Sequence, residues 1–223
     1  MARFSRLEVA SKMHEVPLVP VFYHQNPEVA KKVLQTCYDG GVRVMEFTNR
    51  GDFAHEVFAG LIQYAQDQCP DLILGIGSVV DPGTTALYLQ NGANFIVSPI
   101  LNPEMAKICN RRKVMWAPGC ATLSEISFAE ELGAEIVKIF PGSVVGGPAF
   151  VKAIKGPSPW SSIMPTGGVS PDPENLRGWF EAGVSCVGMG SKLLRKDLIN
   201  EGKWGEIQQM IVSCLTLMKE LRP

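Results

Sequence analysis

Short apolar runs recur along the whole chain at intervals of roughly 20 to 30 residues, and stretches with helical periodicity fill the gaps between them. The runs occupy residues 18–23, 42–48, 72–80, 94–98, 114–117, 135–140, 162–165 and 184–189. A single helix between consecutive strands is too long for a hairpin and implies right-handed parallel crossovers. Eight such units in 223 residues match the size of a small (β/α)8 TIM barrel. The alternative is an open doubly wound sheet, which often carries a GxGxxG turn after its first strand. No such turn follows residues 18–23, and Gly75-Ile76-Gly77 lacks the third glycine.

The punctuation between the runs agrees with this alternation. Asn26-Pro27-Glu28, Asp81-Pro82 and Asn102-Pro103-Glu104 are helix starts, and Thr122 with Glu125 makes a capping-box pattern. Gly40-Gly41, Gly92, Gly133 and Gly183 are expected to end helices just before the next strand. An extra N-terminal helix is expected before Leu18, covering the lower end of the barrel. Residues 204–221 read as the last amphipathic helix, with Ile207, Ile211, Cys214 and Met218 on its buried stripe. Nothing in the chain marks a domain boundary, so residues 1–223 are expected to form one domain.

Charge and cysteine usage narrow the function classes. Lys and Arg number 21 against 22 Asp and Glu, so the chain lacks the basic excess of a nucleic-acid binder. The densest basic run, Arg111-Arg112-Lys113, reads as a solvated helix end. No apolar run approaches the roughly 18 residues of a membrane span, and the N-terminus lacks the pattern of a signal peptide; a soluble, cytoplasmic protein is expected. The six cysteines are scattered without a CxxC pair, and the three histidines form no HxH or HExxH pattern. No protein-built metal site is therefore expected, and the thiols are expected to be reduced and buried.

Chemistry in a barrel sits at the C-terminal strand ends, which directs attention to the polar residues there. Lys138 stands in an apolar strand between Val137 and Ile139. Burial disfavours a charged lysine, and a neutral amine is a nucleophile towards carbonyls; the alternative is a buried stem with its head snorkelling to the strand end. In the second run Val44, Glu46 and Thr48 share one face, with Arg50 just beyond and Met45 and Phe47 on the other face. Glu46 is then an inward carboxylate suited to proton transfer, or a structural partner of Arg43, Arg50 or Lys138. The glycines of Thr166-Gly167-Gly168 and Gly188-Met189-Gly190-Ser191 follow the seventh and eighth runs, where barrels frequently hold phosphate on backbone N–H groups.

Together, Gly40-Gly-Val-Arg-Val-Met-Glu46, Gly75-Ile-Gly-Ser78, Ser98-Pro99, Val137-Lys-Ile-Phe-Pro141, Pro165-Thr-Gly-Gly168 and Gly190-Ser191 resemble the class I 2-keto-3-deoxy-6-phosphogluconate (KDPG) / 4-hydroxy-2-oxoglutarate (KHG) aldolases. The likeness runs in order from about Pro17 to Leu194. It implies that Lys138 is the Schiff-base lysine and Glu46 the general acid/base. Arg50 would lie near the substrate carboxylate, Ser78 would stand at a substrate-binding position where the family often has Thr, Pro99 would line the pyruvate pocket, Phe140 would be the aromatic beside the lysine, and Gly167, Gly168 and Ser191 would hold phosphate. It further implies a 2-keto acid substrate, a covalent Schiff base with no cofactor, and a homotrimer. Three positions depart from the usual pattern: Ser78 in place of Thr, Phe47-Thr48-Asn49 in place of Val-Thr-Leu, and Tyr23-His24 at the end of the first run. They bear on the choice of aldehyde. Two other readings remain on the residues alone, namely a sugar-phosphate isomerase or epimerase, and a non-catalytic barrel binding an anionic metabolite. Covalent trapping of pyruvate by borohydride separates them from the aldolase.

Overall fold

The computed structural model describes residues 2–222. The chain begins with α1 (Arg6–Glu15), β1 (Leu18–Phe22), α2 (Pro27–Asp39), β2 (Val44–Thr48), α3 (Ala54–Gln68), β3 (Ile73–Gly77), α4 (Pro82–Gln90), β4 (Phe95–Val97) and α5 (Pro103–Arg112). It continues through β5 (Met115–Ala117), β6 (Gly119–Cys120), α6 (Leu123–Glu131), β7 (Val137–Ile139), α7 (Gly147–Lys155), β8 (Ile163–Pro165) and α8 (Pro173–Glu181). It closes with β9 (Val187–Met189), α9 (Lys196–Asn200) and α10 (Trp204–Glu220).

Local chemistry sets these boundaries. The Asn26, Asp81 and Asn102 side chains accept N–H groups of the first turns of α2, α4 and α5, each followed by a proline that has no N–H to satisfy. The Thr122–Glu125 capping box opens α6, and an unforeseen one, Ser5–Glu8, opens α1. Gly133 lies at φ +86°, a left-handed backbone that lets α6 stop within two residues and turn towards β7.

All strand pairs are parallel. β5-β4-β3-β2-β1-β9 form one sheet and β6-β7-β8 another. The order has no reversal of the kind a doubly wound sheet requires. Where one run was expected at 114–117, the structure has two pieces, β5 and β6, parted at Pro118. Proline has no N–H for a ladder, but its carbonyl still accepts from the Lys138 N–H at 2.9 Å. The other junction falls after Pro165, where Thr166 bridges Gly188 and the Ser185 N–H donates to the Ile163 carbonyl at 2.9 Å. The third run is shorter than expected, because Ser78, at φ +59°, turns the chain out of β3. α9 was not foreseen from the sequence.

The curled sheet separates two cores. Met45, Phe47, Leu74, Ile76, Val137 and Ile139 belong to the layer beneath the helices. Val44, Ile73, Phe95, Ile136 and Met164 form the inner cluster, joined by Val9 and Met13 of α1, both 0% exposed. Burial of such side chains stabilises by roughly 1.5–3 kcal/mol each, so α1 covers the inner core as expected. Gly75 and Gly77 are strand glycines rather than a phosphate loop. A Cβ at Gly75 would meet the Phe95 ring, and one at Gly77 would meet the Glu46 carboxylate.

Candidate active site

Alternation along β7 decides where Lys138 points. Ile136 belongs to the inner cluster, and Val137 and Ile139 to the outer layer, so the Lys138 side chain turns inward. The same parity along β2 turns Glu46 and Thr48 inward beyond Val44. The two side chains meet across the curled sheet. Lys138 Nζ lies 3.6 Å from Glu46 Oε1, with side-chain exposures of 6% and 1%. Of the three partners that the sequence allowed for Glu46, the structure selects Lys138. Arg43 pairs instead with Asp71 at 2.8 Å, and Arg50 reaches Ser78.

Burial holds the Lys138 amine below the ordinary lysine range. The Glu46 carboxylate opposes that shift, and the nearby Arg50 guanidinium adds to it. The Phe140 ring lies 5.3 Å from Nζ. Glu46 Oε2, Thr48 Oγ1 and Thr166 Oγ1 are buried without a hydrogen-bond partner. Buried polar atoms are usually satisfied, so these three on one inner surface mark a place where a polar molecule would complete the bonding.

The remaining sequence-predicted residues fall at strand ends and along one cavity. Arg50, just past β2, donates from Nε to Ser78 Oγ at 3.3 Å, which places both at neighbouring strand ends. Pro99 lies against Gly119, where any Cβ would strike its backbone, and Gly119 is the register partner of Lys138. Arg50, Phe140, Gly167, Gly168 and Ser191 line one cavity of about 220 Å³. Gly167 and Gly168 sit at φ +90° and +80°, and a Cβ at Gly168 would strike Ser143. Among the described residues, the N–H groups of Gly168 and Ser191 have no protein acceptor, whereas Gly167 lies beside the Thr166–Gly188 bridge.

Sequence reasoning missed two features. Thr166 and Lys192 also line the cavity, so a cation stands beside the backbone donors. The signal for Lys192 was its place directly after Ser191. The substitution Asn49, noted as a departure, also gains a partner: the buried Tyr88 hydroxyl donates to Asn49 Oδ1 at 2.7 Å and ties α4 to the loop that carries Arg50.

The absent Cβ of Gly77 provides a direct test of the Glu46 position. Gly77→Ala is expected to fold, because the atoms it displaces end a flexible side chain. It is expected to lower kcat about tenfold or more by moving the carboxylate from Lys138. Unchanged turnover in that variant, with an unchanged melting temperature, would remove Glu46 from the chemistry.

Comparison with known proteins bears on the same residues. A family model for KDPG and KHG aldolase matches residues 9–210. The 2-dehydro-3-deoxy-phosphogluconate aldolase of Pseudomonas aeruginosa is 36% identical over 184 residues, 82% of this chain and 80% of that protein. The KHG/KDPG aldolase of Escherichia coli K12 is 31% identical over 195 residues, 87% of this chain and 88% of that protein. Among solved structures, the KDPG aldolase of Legionella pneumophila, with pyruvate captured at low pH as a covalent carbinolamine intermediate, superposes with a TM-score of 0.83. It is 27% identical, over 92% of this chain and 97% of that one. A family model spanning both Glu46 and Lys138, and relatives of this identity across most of their own length, lead to one assignment: this chain belongs to the KDPG and KHG aldolase family.

Proposed function

We propose that the protein is a class I aldolase, a carbon–carbon lyase that cleaves 2-keto-3-deoxy-6-phosphogluconate to pyruvate and glyceraldehyde 3-phosphate, and 4-hydroxy-2-oxoglutarate to pyruvate and glyoxylate. The observation that carries this reading is the buried Lys138–Glu46 pair at 3.6 Å, with the amine pushed below its ordinary range.

The neutral Lys138 amine adds to the C2 ketone of the 2-keto acid and gives a carbinolamine. Glu46 protonates the departing hydroxyl, water leaves and an iminium forms. Deprotonation of the C4 hydroxyl by Glu46, directly or through water, breaks the C3–C4 bond. Its electron pair flows into the iminium, the aldehyde departs and an enamine remains. Protonation at C3 and hydrolysis return the Lys138 amine and release pyruvate. The iminium is the electron sink, so the step draws on no metal or cofactor. In this scheme Arg50 grips the C1 carboxylate, supported by Ser78, while Pro99 and Phe140 wall the pyruvate end. The sugar-phosphate isomerase and anion-binding alternatives leave a lysine sunk beside a carboxylate without a task.

Gly167, Gly168 and Ser191 are the phosphate-binding residues of this reading, with Lys192 supplying charge. A six-carbon substrate phosphorylated at C6 carries a phosphate for these donors; 4-hydroxy-2-oxoglutarate is shorter and has none. Charge-assisted bonds contribute roughly 1.5–3 kcal/mol each. The phosphorylated substrate is therefore expected to show the higher kcat/KM, and Ser191→Ala to narrow that preference about tenfold while pyruvate trapping persists. Equal kcat/KM for phosphorylated and unphosphorylated substrates would reduce the glycines to turn formers.

The same reading treats the two sheets as one closed (β/α)8 barrel, supported by the single-residue gap at Pro118 and the Thr166–Gly188 bridge. It takes residues 1–223 as one domain, and the assembly as a cytoplasmic homotrimer. No helix among the described residues is long and apolar enough to cross a membrane. The deciding experiment for the activity is intact mass after incubation with pyruvate and borohydride: a single covalent adduct is expected, and its absence would overturn the aldolase reading.

A further inference from the structure

The cavity beside the phosphate loops has a larger neighbour. A compartment of about 450 Å³ adjoins it through shared walls at Val21, Arg50 and Ser191. It runs along the end of β1 towards α9, and its polar lining includes Tyr23, His24, Gln25, Lys196 and Asn200 besides the shared Arg50 and Ser191. No carboxylate lines it, and with Arg50 engaged by the C1 carboxylate in the proposed reaction, Lys196 is the cation left to it.

Two of these side chains are prepared for a ligand. His24 Nδ1 accepts the Asn26 N–H at 3.0 Å, which puts the proton of the neutral ring on Nε2 as a donor. The ring lies parallel to Phe22, centroids 6.3 Å apart at 9°, so its plane is held. Lys196 forms no hydrogen bond or ion pair among the described residues, whereas its neighbour Arg195 is bound to Asp197. Leu198 and Ile199 are buried and anchor α9, which holds Lys196 at the compartment wall.

We propose that this compartment is a second acceptor subsite, which takes aldehydes of four or more carbons ending in an anion. Lys196 meets the terminal anion, while His24 Nε2 and the Gln25 and Asn200 amides meet the hydroxyls along the chain. The smaller cavity holds about 220 Å³, and the larger one adds about 450 Å³ and a further cation beyond the Arg50–Ser191 wall. This inference rests on the aldolase reading.

The test is pyruvate addition to D-glyceraldehyde 3-phosphate, D-erythrose 4-phosphate and D-erythrose by the unsubstituted protein, Lys196→Met and Lys219→Met. Lys219 lies in a groove beside Glu15 and Pro17, at the opposite end of β1, and serves as the charge control. The unsubstituted protein is expected to prefer erythrose 4-phosphate over erythrose in kcat/KM by about tenfold or more. Lys196→Met is expected to lower kcat/KM for erythrose 4-phosphate about tenfold more than for glyceraldehyde 3-phosphate, and Lys219→Met to leave that ratio within about twofold. An equal loss for both phosphates in Lys196→Met, or no loss, would overturn the second subsite. Borohydride trapping of pyruvate, run in parallel, keeps the two readings apart. Trapping with no preference for erythrose 4-phosphate over erythrose overturns the subsite alone, and no trapping overturns the aldolase reading and the subsite with it.

Discussion

Lys138→Ala is expected to lose both turnover and borohydride trapping of pyruvate, with activity falling by at least about 10⁴-fold because the covalent route is removed. Lys138→Arg is expected to fail equally, since a guanidinium stays protonated and cannot add to a ketone. The pH dependence of trapping in the unsubstituted protein follows from the same burial. The nucleophile is the neutral amine, so the trapping rate rises with pH through the depressed pKa of Lys138 and then levels off. That plateau comes at lower pH than for an ordinary lysine, because burial outweighs the attraction of Glu46. Trapping that persists in Lys138→Ala would move the Schiff base to another lysine.

Glu46→Gln is expected to lower turnover by about 10²–10⁴-fold with the fold retained. Loss of one member of a buried ion pair commonly costs about 3–5 kcal/mol, because the other charge is stranded. That cost is reduced here, because the Lys138 amine is already biased towards its neutral form and the glutamine oxygen can still face it. Slow iminium formation is expected to remain measurable by trapping, since the amine is untouched and water can relay protons. A variant that unfolds, read by thermal melting, would instead make Glu46 a structural counter-ion. The two substitutions separate the roles: one removes the bond to substrate, the other the proton traffic around it.

Much of this site was readable from particular residues. Lys138 stood out because a lysine between Val137 and Ile139 contradicts its strand, and period two along residues 44–48 put Glu46 on the face of Val44. The capping residues at 26, 81, 102 and 122 located helix starts, because their side chains satisfy N–H groups only a few positions ahead. The resemblance then named Ser78, Pro99 and Arg50; in the structure Arg50 reaches Ser78, and Pro99 lies against Gly119, the register partner of Lys138.

What the sequence determined by itself is therefore the set of elements and the face each residue takes, since periodicity and capping act over a few neighbouring positions. The rest depended on how the sheet curls. Glu46 on β2 and Lys138 on β7 are not paired strands, and only curvature brings their inner faces within 3.6 Å. Pairing of β3 with its two neighbours made Gly75 and Gly77 room for Phe95 and Glu46 rather than a phosphate loop, and the packing that follows β9 set Lys192 and Lys196 at the walls of two adjoining compartments. These are contacts between segments far apart in the chain, fixed by the packing of whole elements, and no local pattern encodes them.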